Sequence, residues 1–125
     1  MAGKKQNPND LLRVPYPKKI KPMLATLADK PFNSKEWIFE IKWDGYRVIS
    51  KNRNNSATLT SRNLTSFNRL FPEIKSSLQT IKGDFVADGE VVALDETGRP
   101  NFQQLQNYRK TGKGNIVYYV FDLLW

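Results

Sequence analysis

Apolar and charged residues alternate with a period of two through Phe39-Glu40-Ile41-Lys42-Trp43-Asp44. In an extended strand that spacing puts Phe39, Ile41 and Trp43 on one face, able to enter a core, and the three charges on the other. Asp44-Gly45 is the strongest short hairpin signal, because a two-residue type I′ turn needs positive φ at both central positions. The pattern predicts a hairpin from residues 37–46 into 47–51, with Trp43 opposite Tyr46 and Lys42 opposite Arg47. The Asn-rich run 52–55 reads as a turn and 57–60 as a third strand. Leu70, Ile74, Leu78 and Ile81 recur at helical spacing, with Pro72 where a missing N–H does least harm. Residues 84–94 read as two short strands around a second Asp-Gly pair, Asp88-Gly89. After a turn at 97–100, Asn101 can cap a short helix with Phe102 and Leu105 facing inward. Gly112 and Gly114 break the chain before the nearly continuous apolar run 116–125, which predicts a strand buried on both faces. The expected fold class is α+β: mostly antiparallel sheets with two short helices.

Residues 1–21 lack apolar periodicity and carry six basic residues against Asp10, which predicts a flexible basic arm able to lie along a nucleic-acid backbone. The ordered body, 22–125, begins at Pro22-Met23-Leu24-Ala25. With 125 residues, 39% hydrophobic and 26% charged, the chain allows one small soluble domain. No run approaches the roughly 20 apolar residues of a membrane span and no signal-peptide core is present, so the cytoplasm is the expected compartment. A domain seldom stops at its most hydrophobic strand, so a truncated or split domain is expected.

A net charge of +8 fits a polyanionic partner. The absence of Cys and His excludes disulfides, thiolate catalysis, zinc fingers and histidine acid/base chemistry, leaving Lys, Tyr, Ser, Thr and carboxylates for covalent or proton-transfer roles. Lys42 and Arg47, side by side on the expected hairpin with Glu40, repel unless an anion lies between them or one is neutral. Both escapes point to phosphate. A solvated hairpin face is the competing explanation from spacing alone.

Glu40-x-Lys42-x-Asp44-Gly45-x-Arg47 resembles the nucleotidyl-transfer signature of ATP-dependent DNA ligases and their relatives, the RNA ligases and mRNA capping enzymes. Together with Pro22-Met23-Leu24-Ala25, Ser61-Arg62-Asn63, Asp88-Gly89-Glu90 and Tyr119-Val120-Phe121-Asp122, it makes residues 22–125 similar to the adenylation domain of bacterial ATP-dependent DNA ligases. The likeness is strongest to the ligase module of bacterial non-homologous end-joining enzymes. The resemblance implies the amino-terminal part of an ATP-grasp-like nucleotidyltransferase domain, with ATP and Mg²⁺ as cofactors and nicked or broken duplex DNA as partner. Lys42 would be the nucleophile that accepts AMP, and Glu40, Ile41, Arg47, Arg62, Glu90 and Phe121 would bind the nucleotide. Among these, Arg47 and Arg62 would hold phosphate or ribose, Glu90 would contact ribose and the metal, and Phe121 would stack on adenine.

Two departures from the family pattern stand out. Leu64 follows Asn63 where the family usually has Gly, a residue freer to take positive φ. Family members also continue into an acidic metal-binding motif, a terminal lysine pair and an OB-fold domain, none of which lies in these residues, so a complementary segment or a second copy is an expected partner. A non-catalytic nucleic-acid-binding module, an RNA ligase and a GTP-using capping enzyme are the competing functions.

Overall fold

The computed structural model describes residues 14–125. Strand β1 (Tyr46–Arg53) turns into β2 (Ser56–Ser61) through Asn54 and Asn55. Their φ values are 51° and 59°, left-handed angles that Asn tolerates and that match the twist of paired strands. The two-residue hairpin turn therefore forms at Asn54-Asn55 and not at Asp44-Gly45. Residues 37–44 are irregular, so Lys42 is not the strand partner of Arg47, nor Trp43 of Tyr46. Phe39 and Ile41, expected in a core, are 60% and 71% exposed.

The reason for this correction is tertiary. β1 is paired on one side with β2 and on the other with β3 (Phe85–Leu94), which leaves no edge for residues 37–44. Gly45 serves close approach instead of a turn. A Cβ there would overlap the Val91 carbonyl oxygen and stand 2.9 Å from Val92 Cγ1, so glycine lets β1 start flush against β3.

β3 is one continuous strand, correcting the expectation of two short strands around Asp88-Gly89. It lies between β1 and β4 (Asn115–Leu123) in the antiparallel order β2-β1-β3-β4. Ladder hydrogen bonds on both flanks outweigh the local turn preference of Asp-Gly. Gly89 again permits contact, since a Cβ would stand 2.6 Å from Tyr118 Cε2. The Tyr118 ring passes beneath it, and its hydroxyl donates to the Val48 carbonyl at 2.9 Å. Pairing slips here: Gly89 faces Val120 and Asp88 faces Asp122, which leaves Phe121 as the extra residue of a β-bulge. β4 is an edge strand and is not buried on both faces, with Val120 51% and Leu123 70% exposed.

Helices α1 (Pro72–Gln79) and α2 (Phe102–Thr111) lie against β2 and β3. Pro72 opens α1, and Ile74 and Leu78 are its buried residues. Ile81 falls past the helix and is half exposed. The Asn101 side chain accepts the Gln104 N–H at 3.0 Å, as a helix cap should. Val48, Leu59 and Val91 from the sheet meet Phe71, Leu78 and Leu105 in one core, each buried side chain contributing about 1.5–3 kcal/mol.

Residues 14–18, the later part of the segment read as a basic arm, are held on the sheet. Tyr16 donates to the carbonyl oxygens of Asn52 and Phe85, Lys51 Nζ to those of Pro17 and Lys18, and Trp125 Nε1 to that of Val14 at 2.8 Å. The first thirteen residues of the expected arm lie outside the described residues. Among the described residues no helix is long and apolar enough to cross a membrane.

Candidate active site

Because side chains alternate along a strand, Tyr46 and Val48 point to the helices and Arg47 points to the opposite face. Arg47 pairs in register with Glu90, and Glu90 with Tyr119. One row of side chains thus crosses three strands on the face the helices leave free, and Arg62 follows at the end of β2. A cleft of about 570 Å³ opens on this face, and its lining includes Glu40, Ile41, Lys42, Arg47, Arg62, Glu90 and Phe121. All seven sequence candidates therefore share one cleft, although they come from four separate stretches of chain. Met23, Leu24 and Ala25 form part of its wall.

The candidates differ in how firmly they are held. Glu40, Ile41 and Lys42 are exposed on the irregular segment, whereas Arg47 and Glu90 are partly buried on strands. Arg47 donates from Nε and from an amino group to the two carboxylate oxygens of Asp88, at 3.0 and 2.7 Å. Asp88 is 2% exposed, so the pair satisfies a carboxylate that would otherwise be buried without a partner. This hydrogen bonding pushes the Arg47 pKa further up. The same guanidinium lies over the Phe121 ring, 5.5 Å from its centroid. Part of the donor set expected to hold phosphate is thus engaged by Asp88, and Arg62 is the arginine of the cleft with no ion pair among the described residues.

Burial pushes the Glu90 carboxyl above its ordinary pKa, with Arg47 and the Gly45 backbone N–H acting in the opposite direction. Among the described residues no group of three or more carboxylates is arranged to hold a metal ion. With Asp88 occupied by Arg47, Glu90 offers one oxygen ligand set. That suits a Mg²⁺ ion that takes most of its ligands from water and nucleotide phosphates, and does not suit a dedicated protein cage.

Leu64 adopts φ 64°, taking the left-handed angle that glycine would take more cheaply. The turn that forces it is closed by the Leu64 N–H donating to the Ser61 carbonyl at 2.9 Å, and by Ser61 Oγ accepting the Asn63 and Thr65 N–H groups. This turn carries Arg62 to the cleft. Two further participants escaped the sequence reading. Asp88 sits buried within the apolar run of β3, where a charged residue signals a buried partner. Tyr119 carries no charge or spacing signal of its own, yet Trp43 stacks flat on it, with ring centroids 4.0 Å apart and planes 4° from parallel.

Comparison with known proteins points to one family. The family model described as ATP dependent DNA ligase domain matches residues 22–125. The multifunctional non-homologous end joining protein LigD of Pseudomonas aeruginosa is 40% identical over 114 residues, covering 89% of this chain and 13% of that protein. The SPbeta prophage-derived DNA ligase-like protein LigB of Bacillus subtilis is 33% identical over 108 residues, covering 85% of this chain and 39% of that protein. Among solved structures, the ligase domain of M. tuberculosis LigD superimposes with a TM-score of 0.61 at 32% identity, covering 69% of this chain and 28% of that one. A mycobacterial DNA ligase D complexed with ATP and MES gives 0.60 at 31% identity, with the same coverage. The chain spans much less than two thirds of each of these proteins.

Proposed function

We propose, on the premise that the chain belongs to the family of ATP-dependent DNA ligase domains, that its cleft binds ATP and transfers AMP to Nζ of Lys42. The observation that carries this reading is the convergence of Lys42, Arg47, Arg62, Glu90 and Phe121 on one cleft. A solvated charged hairpin would have left them on unrelated surfaces. One similar solved ligase was determined with ATP bound, which supports the choice of nucleotide.

In the reaction, the unprotonated Lys42 amine attacks the α-phosphorus. A P–N bond forms, the bond to the bridging oxygen breaks, pyrophosphate leaves, and the amine loses a proton to solvent. Arg62 binds a phosphate oxygen, and Glu90 accepts a hydrogen bond from a ribose hydroxyl. Phe121, 41% exposed, offers adenine the ring face not covered by Arg47. Glu40 and Ile41 close the edge of the nucleotide site. Mg²⁺, held by Glu90 and the phosphates, would neutralise charge developing on the leaving group.

The substrate that follows is DNA with a 5′-phosphate at a nick or break. AMP passes to that phosphate, and the adjacent 3′-hydroxyl then displaces it, in the cytoplasm. These later steps need groups that the cleft does not contain. Met23 and Leu24 in the cleft wall are 85% and 69% exposed, and β4 leaves one sheet edge open, surfaces suited to a complementary ligase segment or another copy. The deciding experiment is intact mass after incubation with ATP and Mg²⁺, with and without the carboxyl-terminal segment of a related ligase domain. A lysine-linked AMP adduct that disappears in Lys42→Ala is expected, and an adduct that persists in that variant would overturn the assignment.

A further inference from the structure

We propose that the stack of Trp43 on Tyr119 is the contact that fixes Lys42 over the cleft, which makes Tyr119 a positioning residue of the site. The inference rests on the reading of Lys42 as the group that reacts. Residues 37–44 have no regular structure, and among the described residues no backbone hydrogen bond ties 38–44 to the rest of the chain. Glu40, Ile41 and Lys42 are exposed, so burial does not place them.

Phe39 and Trp37 pack on Phe32, but Phe32 is itself exposed on irregular chain and does not refer the segment to the sheet. Two contacts with the sheet remain. Gly45 is pressed against Val91, but it lies three residues beyond Lys42, and the soft backbone dihedrals of Trp43 and Asp44 intervene. The Trp43 ring, one residue from Lys42, lies parallel to Tyr119 at a centroid distance of 4.0 Å, and it removes that freedom. Tyr119 is itself fixed, because it pairs with Glu90 on β3. The stack therefore refers the position of Lys42 to the same row of the sheet that carries Glu90 and Arg47. With one face of its ring covered, Tyr119 is a poor platform for a base. Its hydroxyl makes no hydrogen bond among the described residues, so the ring alone does the positioning.

The test uses the full 125-residue chain and the variants Tyr119→Ala, Tyr119→Phe and Trp43→Leu. A parallel Trp–Tyr pair gives a near-ultraviolet circular dichroism signal, expected to vanish in Tyr119→Ala and Trp43→Leu and to survive in Tyr119→Phe. Acylation of individual lysines by an amine-directed ester, followed by peptide mass spectrometry, reports the surroundings of Lys42 without any catalysis. Its rate should change by about threefold or more in Tyr119→Ala, return to the parent value in Tyr119→Phe, and leave Lys51 unaffected. An unchanged rate at Lys42 in Tyr119→Ala, or failure of Tyr119→Phe to restore it, would overturn the proposal. Adenylylation measured on the same proteins separates the two readings. If no protein forms the adduct, parent included, nucleotidyl transfer fails while the labelling still decides what Tyr119 does.

Discussion

Arg47 grips Asp88 through two hydrogen bonds, at 3.0 and 2.7 Å, and the carboxylate it holds is almost wholly inside the protein. The pair joins β1 to β3 beneath the cleft and sets the guanidinium against Phe121. Removing the arginine leaves a buried charge without compensation, whereas Asp88→Asn removes the charge as well. Arg47→Ala should therefore cost about 3 kcal/mol of stability, and Asp88→Asn clearly less. Denaturant midpoints of the two variants measure the difference.

Lys42 is exposed and far from the core, so Lys42→Ala should leave stability within about 0.5 kcal/mol of the parent while abolishing adduct formation. Paired thermal melts and intact-mass measurements check both halves. A large loss of stability would assign Lys42 a structural role.

Gly45→Ala places a methyl group on the Val91 carbonyl. Backbone cannot yield as a flexible side chain would, so a loss of about 2 kcal/mol or more is expected. If Asp44-Gly45 formed the turn that sequence suggests, Gly45→Asn would be tolerated. Here it should be at least as damaging as alanine, as equilibrium unfolding can show.

Leu64→Gly relieves a left-handed leucine, worth about 1 kcal/mol of steric strain and offset by the greater freedom of glycine in the unfolded chain. The expected result is no net loss, and a gain of up to about 1 kcal/mol. Leu64→Val, which keeps a Cβ and adds a branch there, should melt lower than the parent.

The Glu90 carboxyl has its pKa raised by burial, which fixes the sign of its pH effect. When the folded pKa lies above the unfolded one, the contribution to stability is fully present below the unfolded pKa and is lost as pH rises through the folded value. Glu90→Gln should thus melt higher than the parent at neutral pH and the same as the parent at a pH where the carboxyl is protonated in both states. The same variant should form less adduct. Melting curves across the acid range, with adduct mass at neutral pH, report both effects.

Much of this was legible in the residues, and what was not has a common cause. Helical spacing located α1, and Asn101 located the start of α2, because those signals act within a few residues. The motif spacing also selected side chains that the sheet brings together, since Arg47 and Glu90 are register partners. Both Asp-Gly pairs misled for one reason. Their turn preference is local, and at Gly45 and Gly89 the deciding interaction is with strands 30 to 46 residues away in sequence, where glycine is needed for its missing side chain and not for its angles. Asp88 and the Trp43–Tyr119 stack were hidden by the same distance.

The bulge in β4 gives the fold one residue that its ladder does not use. Tyr119 and Asp122 both lie opposite residues of the cleft face although three positions separate them, and only the surplus of Phe121 makes that parity possible. Deleting that residue would leave Gly89 facing Val120 and Asp88 facing Asp122, so the ladder would close up with every other side chain on its present face, and the cleft would lose only the ring beside Arg47.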